Sequence, residues 1–419
     1  MSPSTHGPES PSGPGAPVAD ASSPGPLRYD PFVVGELPDP YPLYERLREE
    51  APLYRHDEGD FWVLSRFDDV FRATRDYTHY SSARGLTFIK DEMKLLGLAP
   101  TFIMMDPPKH TALRRLISKG FTPDRVSAME PLIRAFVRAR VDDVAARCAA
   151  GEDVDIVSAY TSPIPTFALA ELLGVPPEDR ARFDPWSTAI TSSSMEEASL
   201  GNAVQAVAQL FGYFIQLLER RRTDPGDDML SALRAAEVDG EKLSNWDLLG
   251  FCFVFIAGGN DTTNHMLANA LVRLQEHPAQ RAHLLAHPER IGPAVDEFLR
   301  YDAPVQGLSR TLTAPLELYG QTLPEGAKVH LLYASANRDP RQYGKRAHEL
   351  DVTRDVQRHM SFTQGPHHCI GAHLARMMGR IGLEELLARF PAYQLDLARA
   401  ERTRSAFVRG YERLPFHPG

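Results

Sequence analysis

Phe362-Thr363-Gln364-Gly365-Pro366-His367-His368-Cys369-Ile370-Gly371 sets a cysteine just ahead of a helical run from Ala372 to Phe390. Free N–H groups and partial positive charge at a helix N-terminus stabilise a thiolate, the form of cysteine that binds iron. Gly365, Pro366 and Gly371 are expected to let backbone amides approach the sulfur, and hydrogen bonds to an axial sulfur tune its electron donation. Cys369 is therefore a candidate metal ligand. Zinc is the rival reading, because His367, His368, Cys369 and His373 are crowded, and Cys369 with His373 shares a helix face at i, i+4.

The other cysteines, Cys148 and Cys252, read as small buried hydrophobes. Three widely spaced cysteines make no disulfide framework, which fits a reducing compartment and an expected cytoplasmic location. At 43% hydrophobic and 24% charged residues, the 419-residue chain can bury a large core and is no disordered polymer. Its net charge of -9 argues against a general nucleic-acid surface. The longest apolar stretch, Leu248 to Ala257, is half of the roughly 20 residues a membrane span needs, so no membrane anchor is expected. Residues 1–26 hold seven prolines, four glycines and six serines with no Lys or Arg, and read as a disordered tail rather than a secretory signal. One domain is expected over 27–419.

Tyr41 to Tyr54 reads as an amphipathic helix and Phe61 to Leu64 as a strand entering another helix. Ser244 and Asp247 form a capping box opening a helix that runs to about Pro278, apolar on all sides from Leu248 to Ile256 and so expected in the core. Short strands are expected near 316–318, 328–332 and 407–408. The class is mainly α with small sheets.

Within the long helix, Ala257-Gly258-Gly259-Asn260-Asp261-Thr262-Thr263 puts two glycines mid-helix, each costing about 1 kcal/mol relative to alanine. Close helix packing is one compensation. A local opening of the helix beside a metal centre is the other, with the Thr262 hydroxyl available to bound dioxygen and Asp261 able to relay protons. Further on, Glu297-Phe298-Leu299-Arg300 sets a carboxylate and a guanidinium on one helix face, which by itself reads as a surface ion pair.

The cysteine block resembles the signature F-x-x-G-x-[HR]-x-C-x-G of cytochromes P-450, matched at Phe362, Gly365, His367, Cys369 and Gly371. This family is the standard example of thiolate-ligated haem that favours O–O cleavage. Thr363 stands where the family usually has glycine, and Met378 replaces a glutamate common in the following helix. Gly258-Gly259-Asn260-Asp261-Thr262 resembles the family's acid-alcohol pair, and Glu297 with Arg300 its E-x-x-R motif, with Arg354 in the place of its partner.

The resemblance implies a helix-rich triangular prism holding haem b between the long helix and the helix after Cys369, with Phe362, Gly365 and Gly371 shaping the loop. His110, Arg114, Arg310 and His367 are the implied partners of the haem propionates, since a buried dianionic edge needs hydrogen-bonded cations. Glu297, Arg300 and Arg354 are implied to be structural supports of the loop. The implied substrate pocket is lined by Phe88, Leu95, Leu98, Val254, Ala257, Gly258, Val305, Leu308 and Phe407.

The implied reaction activates O2 with two electrons, drawn ultimately from NAD(P)H, to hydroxylate or epoxidise an apolar small molecule: a terpenoid, steroid, fatty acyl or macrocyclic natural product. Ferredoxin, or a flavodoxin-like donor, with a separate reductase would supply the electrons. Lys109, Arg114, Arg115, Lys119, Arg358, Arg376 and Arg380 lie in two segments without acidic residues, and are expected to form a basic dock for that donor. A peroxide-driven peroxygenase and a non-catalytic haem protein are the alternatives.

Overall fold

Ser244 opens the element around which the rest is arranged. Its side chain accepts the Asp247 N–H while the Asp247 carboxylate accepts the Ser244 N–H, the expected capping box, and the helix then runs Asn245–Glu276. Thirty-two residues make it about 48 Å long. The computed structural model describes residues 25–90, 92, 101–118, 120–191, 197–238 and 240–419. In it the long helix packs against Pro163–Leu173, Phe183–Thr191, Glu197–Thr223, Ile291–Tyr301 and Ala372–Arg389. Being apolar on every side, its stretch Leu248–Ile256 is buried by neighbours all round, with only Val254 half-buried.

The main sheet has the order Leu53–His56, Phe61–Leu64, Lys328–Leu331, Leu308–Leu312, Tyr80–Ser81. Phe61–Leu64 and Lys328–Leu331 run parallel and the other pairs antiparallel. The register Val329↔Arg310 fixes Arg310 mid-strand, with Leu308 on the same face two residues away. The remaining sheets have two or three strands, so the architecture is mainly helical with small sheets.

Two boundaries differ from expectation. The helix that starts at Tyr41 stops at Glu50 rather than continuing to Tyr54, because Pro52 disfavours helical backbone at Ala51, and Leu53–His56 pairs into the sheet instead. Residues 407–408 form no strand; Val408 makes an isolated bridge to Val305. Among the described residues no helix is long and apolar enough to cross a membrane. Most of the expected tail, residues 1–24, lies outside the described residues.

Candidate functional site

The cysteine loop is held from both ends. The Cys369 amide donates to the Phe362 carbonyl at 2.8 Å and the Thr363 amide to the Met360 carbonyl at 2.7 Å, after which a short turn, Gly365–His367, leads to the helix Ala372–Arg389. Gly365 has a φ of 71°, and a Cβ there would lie 2.7 Å from the Thr74 carbonyl oxygen. Its role is thus close packing on the helix Phe67–Arg75 rather than the approach to sulfur expected from sequence. Gly371 does approach: its amide hydrogen-bonds the Cys369 sulfur. Burial pushes the thiol up, opposed by that amide and by the guanidiniums of Arg114 and Arg376. Cys369 is exposed although dense protein surrounds its thiol, the combination found in a residue lining an internal space. No cluster of three or more metal-ligating side chains occurs among the described residues, so His373 does not join Cys369 in a zinc site.

Beneath the loop, Glu297 and Arg300 are fully buried, contrary to the surface pair their spacing alone suggested. Arg300 grips Glu297 with two parallel bonds of 2.6 and 2.7 Å and donates to the carbonyls of Asn337, Ala347 and Glu349. Glu297 also accepts from the Asp351 amide at 2.9 Å and from Arg354 at 3.3 Å. Both ions have several partners, the condition under which a buried pair is tolerated. Arg354 sits where the sequence placed it.

His110, Arg114, Arg310 and His367 converge as expected. The two imidazoles lie 4.1 Å apart, and burial followed by Arg114 pushes His110 down to about 4. His367 falls to about 2, through burial and then Arg310, His110 and Arg114. Both ring nitrogens of His110 and Nε2 of His367 are buried without a partner. Orphaned ring nitrogens beside the guanidiniums of Arg114 and Arg310 are what an anionic cofactor edge would satisfy, each imidazole having an N–H to offer it, so these residues fit haem. Arg114 has a second task, since its guanidinium donates to the His368 carbonyl in the loop.

On the opposite wall the two mid-helix glycines have different tasks. A Cβ on Gly258 would meet nothing within 4 Å, whereas one on Gly259 would lie 3.0 Å from Leu169 of the helix Pro163–Leu173. Gly258 leaves open space and Gly259 permits close packing. The helix stays continuous through 257–263, so the expected local opening is not present. Thr262 Oγ1 donates to the Gly258 carbonyl at 2.8 Å, and Asp261 is buried beside it. Sequence reading missed what pins this stretch: Thr166 donates to Asn260 at 2.7 Å and Thr161 to Asn264 at 2.6 Å. Two asparagines mid-helix, where they are poor helix formers, were the available signal.

Of the expected pocket residues, Val254, Ala257, Gly258, Val305, Leu308 and Phe407 are not fully buried and can line a chamber. Phe88 cannot: it is 4% exposed, stacked between Phe61 at 4.9 Å and Phe407 at 5.0 Å, and so belongs to the core that backs the pocket. Leu95 and Leu98 lie outside the described residues, as does Lys119. The expected basic dock is smaller than the sequence implied. Arg376 pairs with Asp296 at 2.8 Å and Arg380 with Glu130 at 2.6 Å, leaving Lys109, Arg115 and Arg358 exposed.

A helical fold with an exposed loop cysteine on one wall and an alcohol-bearing helix on the other is the arrangement of a haem-thiolate oxidoreductase. The family model for "Cytochrome P450" matches residues 293–402. "Cytochrome P450 130" of Mycobacterium tuberculosis (strain ATCC 25618 / H37Rv) is 42% identical over 388 residues, covering 90% of this chain and 95% of that one. "Vitamin D(3) 25-hydroxylase" of Pseudonocardia autotrophica is 36% identical, covering 91% and 94%. The crystal structure of CYP109E1 from Bacillus megaterium in complex with testosterone superposes with a TM-score of 0.82 at 31% identity, covering 91% and 98%. The chain belongs to the cytochrome P450 family, whose relatives are named monooxygenases and hydroxylases.

Proposed function

We propose that this enzyme is a ferredoxin-dependent monooxygenase of bulky apolar molecules, with Cys369 as the ligand to haem iron and His110, Arg114, Arg310 and His367 holding the propionates. The observation that carries this reading is the pairing of an accessible interior sulfur with the orphaned imidazoles of His110 and His367. Haem bound there supplies dioxygen reduction, placing one oxygen atom in the substrate and the other in water.

The chain's own residues position and protonate. The Gly371 amide and Arg114 hold the sulfur and its loop. The Gly258 carbonyl orients the Thr262 hydroxyl, which takes its proton from the Asp261 side. This relay favours oxygen activation over a peroxide-driven reaction, which needs no such pair. Partly exposed Val254, Ala257, Val305, Leu308 and Phe407 offer an apolar wall, and the absent Cβ of Gly258 leaves room above it. A relative named for vitamin D(3) and neighbours crystallised with testosterone and with erythromycin B support a polycyclic or macrocyclic substrate class.

A ligand library scored by substrate-induced blue shift of the Soret band tests that class, with steroid-like and macrolide-like compounds expected to outrank short fatty acids. NAD(P)H and O2 consumption with a reconstituted ferredoxin chain, set against peroxide alone, tests the reaction. Turnover supported only by peroxide would overturn it.

A further inference from the structure

Among the described residues, three non-glycine residues have positive φ: Asp60, Tyr319 and Thr363. Thr363, at 48°, is the β-branched one, and a β-branched side chain in the left-handed region is a genuine outlier. It lies in the cysteine loop, at the position where the family's usual glycine would adopt this backbone without cost.

The surroundings show what holds it there. Upstream, the Met360 amide donates to Asn337 Oδ1 at 2.6 Å, and Ser361 Oγ donates to the Leu299 carbonyl at 2.6 Å while accepting from Asn337 at 2.9 Å. Downstream, Gly365 is lodged against Thr74, and the Cys369 amide is tied to the carbonyl of Phe362, the residue just before Thr363. Relaxing Thr363 to an ordinary φ would swing those two anchored segments apart. Tyr333, 1% exposed, donates its hydroxyl to Thr363 Oγ1 in a long bond of 3.4 Å.

We infer that Thr363 is a positioning residue for the sulfur: its left-handed backbone keeps the Cys369 loop under strain, Tyr333 helps to hold it, and the loop grips the ligand less firmly than glycine would allow. The inference rests on Cys369 as the haem ligand. Such strain persists only where the surroundings over-determine it, and it is released when the loop lets go.

The test uses the holoenzyme and follows two signals on warming: loss of the red-shifted ferrous carbonyl band, which reports release of the sulfur, and far-ultraviolet circular dichroism, which reports unfolding. Thr363→Asn tolerates the left-handed region and keeps an acceptor for Tyr333; it should slow loss of the band about fivefold or more, as should Thr363→Gly. Thr363→Val keeps the branching, removes the hydroxyl and should hasten the loss. Tyr333→Phe should hasten it in the native chain but have a smaller effect in the Thr363→Gly background, where no strain remains to be held. Unchanged or faster loss in both Thr363→Asn and Thr363→Gly, or an equal effect of Tyr333→Phe in both backgrounds, would overturn the inference. A native holoprotein without the red-shifted band would instead sink the assignment of Cys369; the unfolding midpoints, expected to rise a few degrees in Thr363→Asn, would still decide the strain.

Discussion

The two walls of the site are built on opposite plans. Behind the sulfur, Glu297, Arg300, Arg354 and the amides and carbonyls of 337–351 form a network in which each buried ion has several partners. Across from it, Gly258 faces open space and the Thr262 hydroxyl turns back on its own helix. The sulfur wall holds its loop through redundancy of partners. The helix wall is kept bare, since any side chain added there would occupy the place of reactants. Stability should therefore be concentrated on the first wall, and sensitivity of reaction outcome on the second.

Breaking the sulfur wall should give the largest effect. Glu297→Ala leaves Arg300 charged, buried and without its carboxylate, a loss of about 3–5 kcal/mol in unfolding free energy. Denaturant titration of the holoprotein should show it, together with weaker retention of thiolate ligation. A loss below about 1 kcal/mol would mean that the network is ornamental.

Acid should find a weak point of the helix wall. His265, one turn beyond Asp261, is buried with Nδ1 unpartnered, and burial pushes it down to about 4. The unfolded chain takes up this proton near pH 6.5 and the folded chain only near 4, so the contribution is complete above about 6.5 and is lost as pH falls towards 4. That loss is about 3 kcal/mol. His265→Gln should flatten the dependence of stability on pH over this window, and an unchanged slope would assign the acid sensitivity to other groups.

The paired glycines sharpen the contrast at smaller cost. Gly259→Ala drives a methyl against Leu169 and should destabilise by about 1–3 kcal/mol unless that side chain yields. Gly258→Ala meets no atom and should stabilise the helix by about 0.5–1 kcal/mol while weakening binding of bulky ligands. Thermal melts and Soret titrations of the pair check both signs. If Gly258→Ala binds ligands as the native chain does, the open space is not part of the pocket.

Thr262→Ala should alter stability least, by less than about 1 kcal/mol, because its hydroxyl only supplements a satisfied helix. Its effect should fall on the outcome: product formed per NAD(P)H consumed drops, with hydrogen peroxide accounting for the difference. A fully coupled variant would show that protons arrive by another route.

The sulfur wall was legible in the sequence because its determinants are local. Phe362 to Gly371 is one contiguous block; Glu297 and Arg300 share a face within one helical turn, but their spacing alone read as a surface pair, and only the family resemblance implied a structural role. What no local pattern carries was misread. Arg376 looked free because its segment holds no acid, yet Asp296 reaches it from a distant helix; Arg380 is held by Glu130 from another helix and also by Glu384, one turn on in its own. Phe88 looked like a pocket residue because aromatic character cannot tell a chamber wall from the core behind it. At Gly258-Gly259 the expected break in the helix gave way to two separate reasons for glycine, visible only once Leu169 of a neighbouring helix is placed.

The central claim, that Cys369 is the iron ligand and that its wall is built to hold it, is tested most directly by the ferrous carbonyl spectrum of Cys369→His beside that of Cys252→Ser. Both residues start as free thiols, one facing the interior space and the other fully buried in the long helix. Cys369→His is expected to keep some haem yet lose the strongly red-shifted band, while Cys252→Ser retains it. Persistence of the band in Cys369→His would contradict the account.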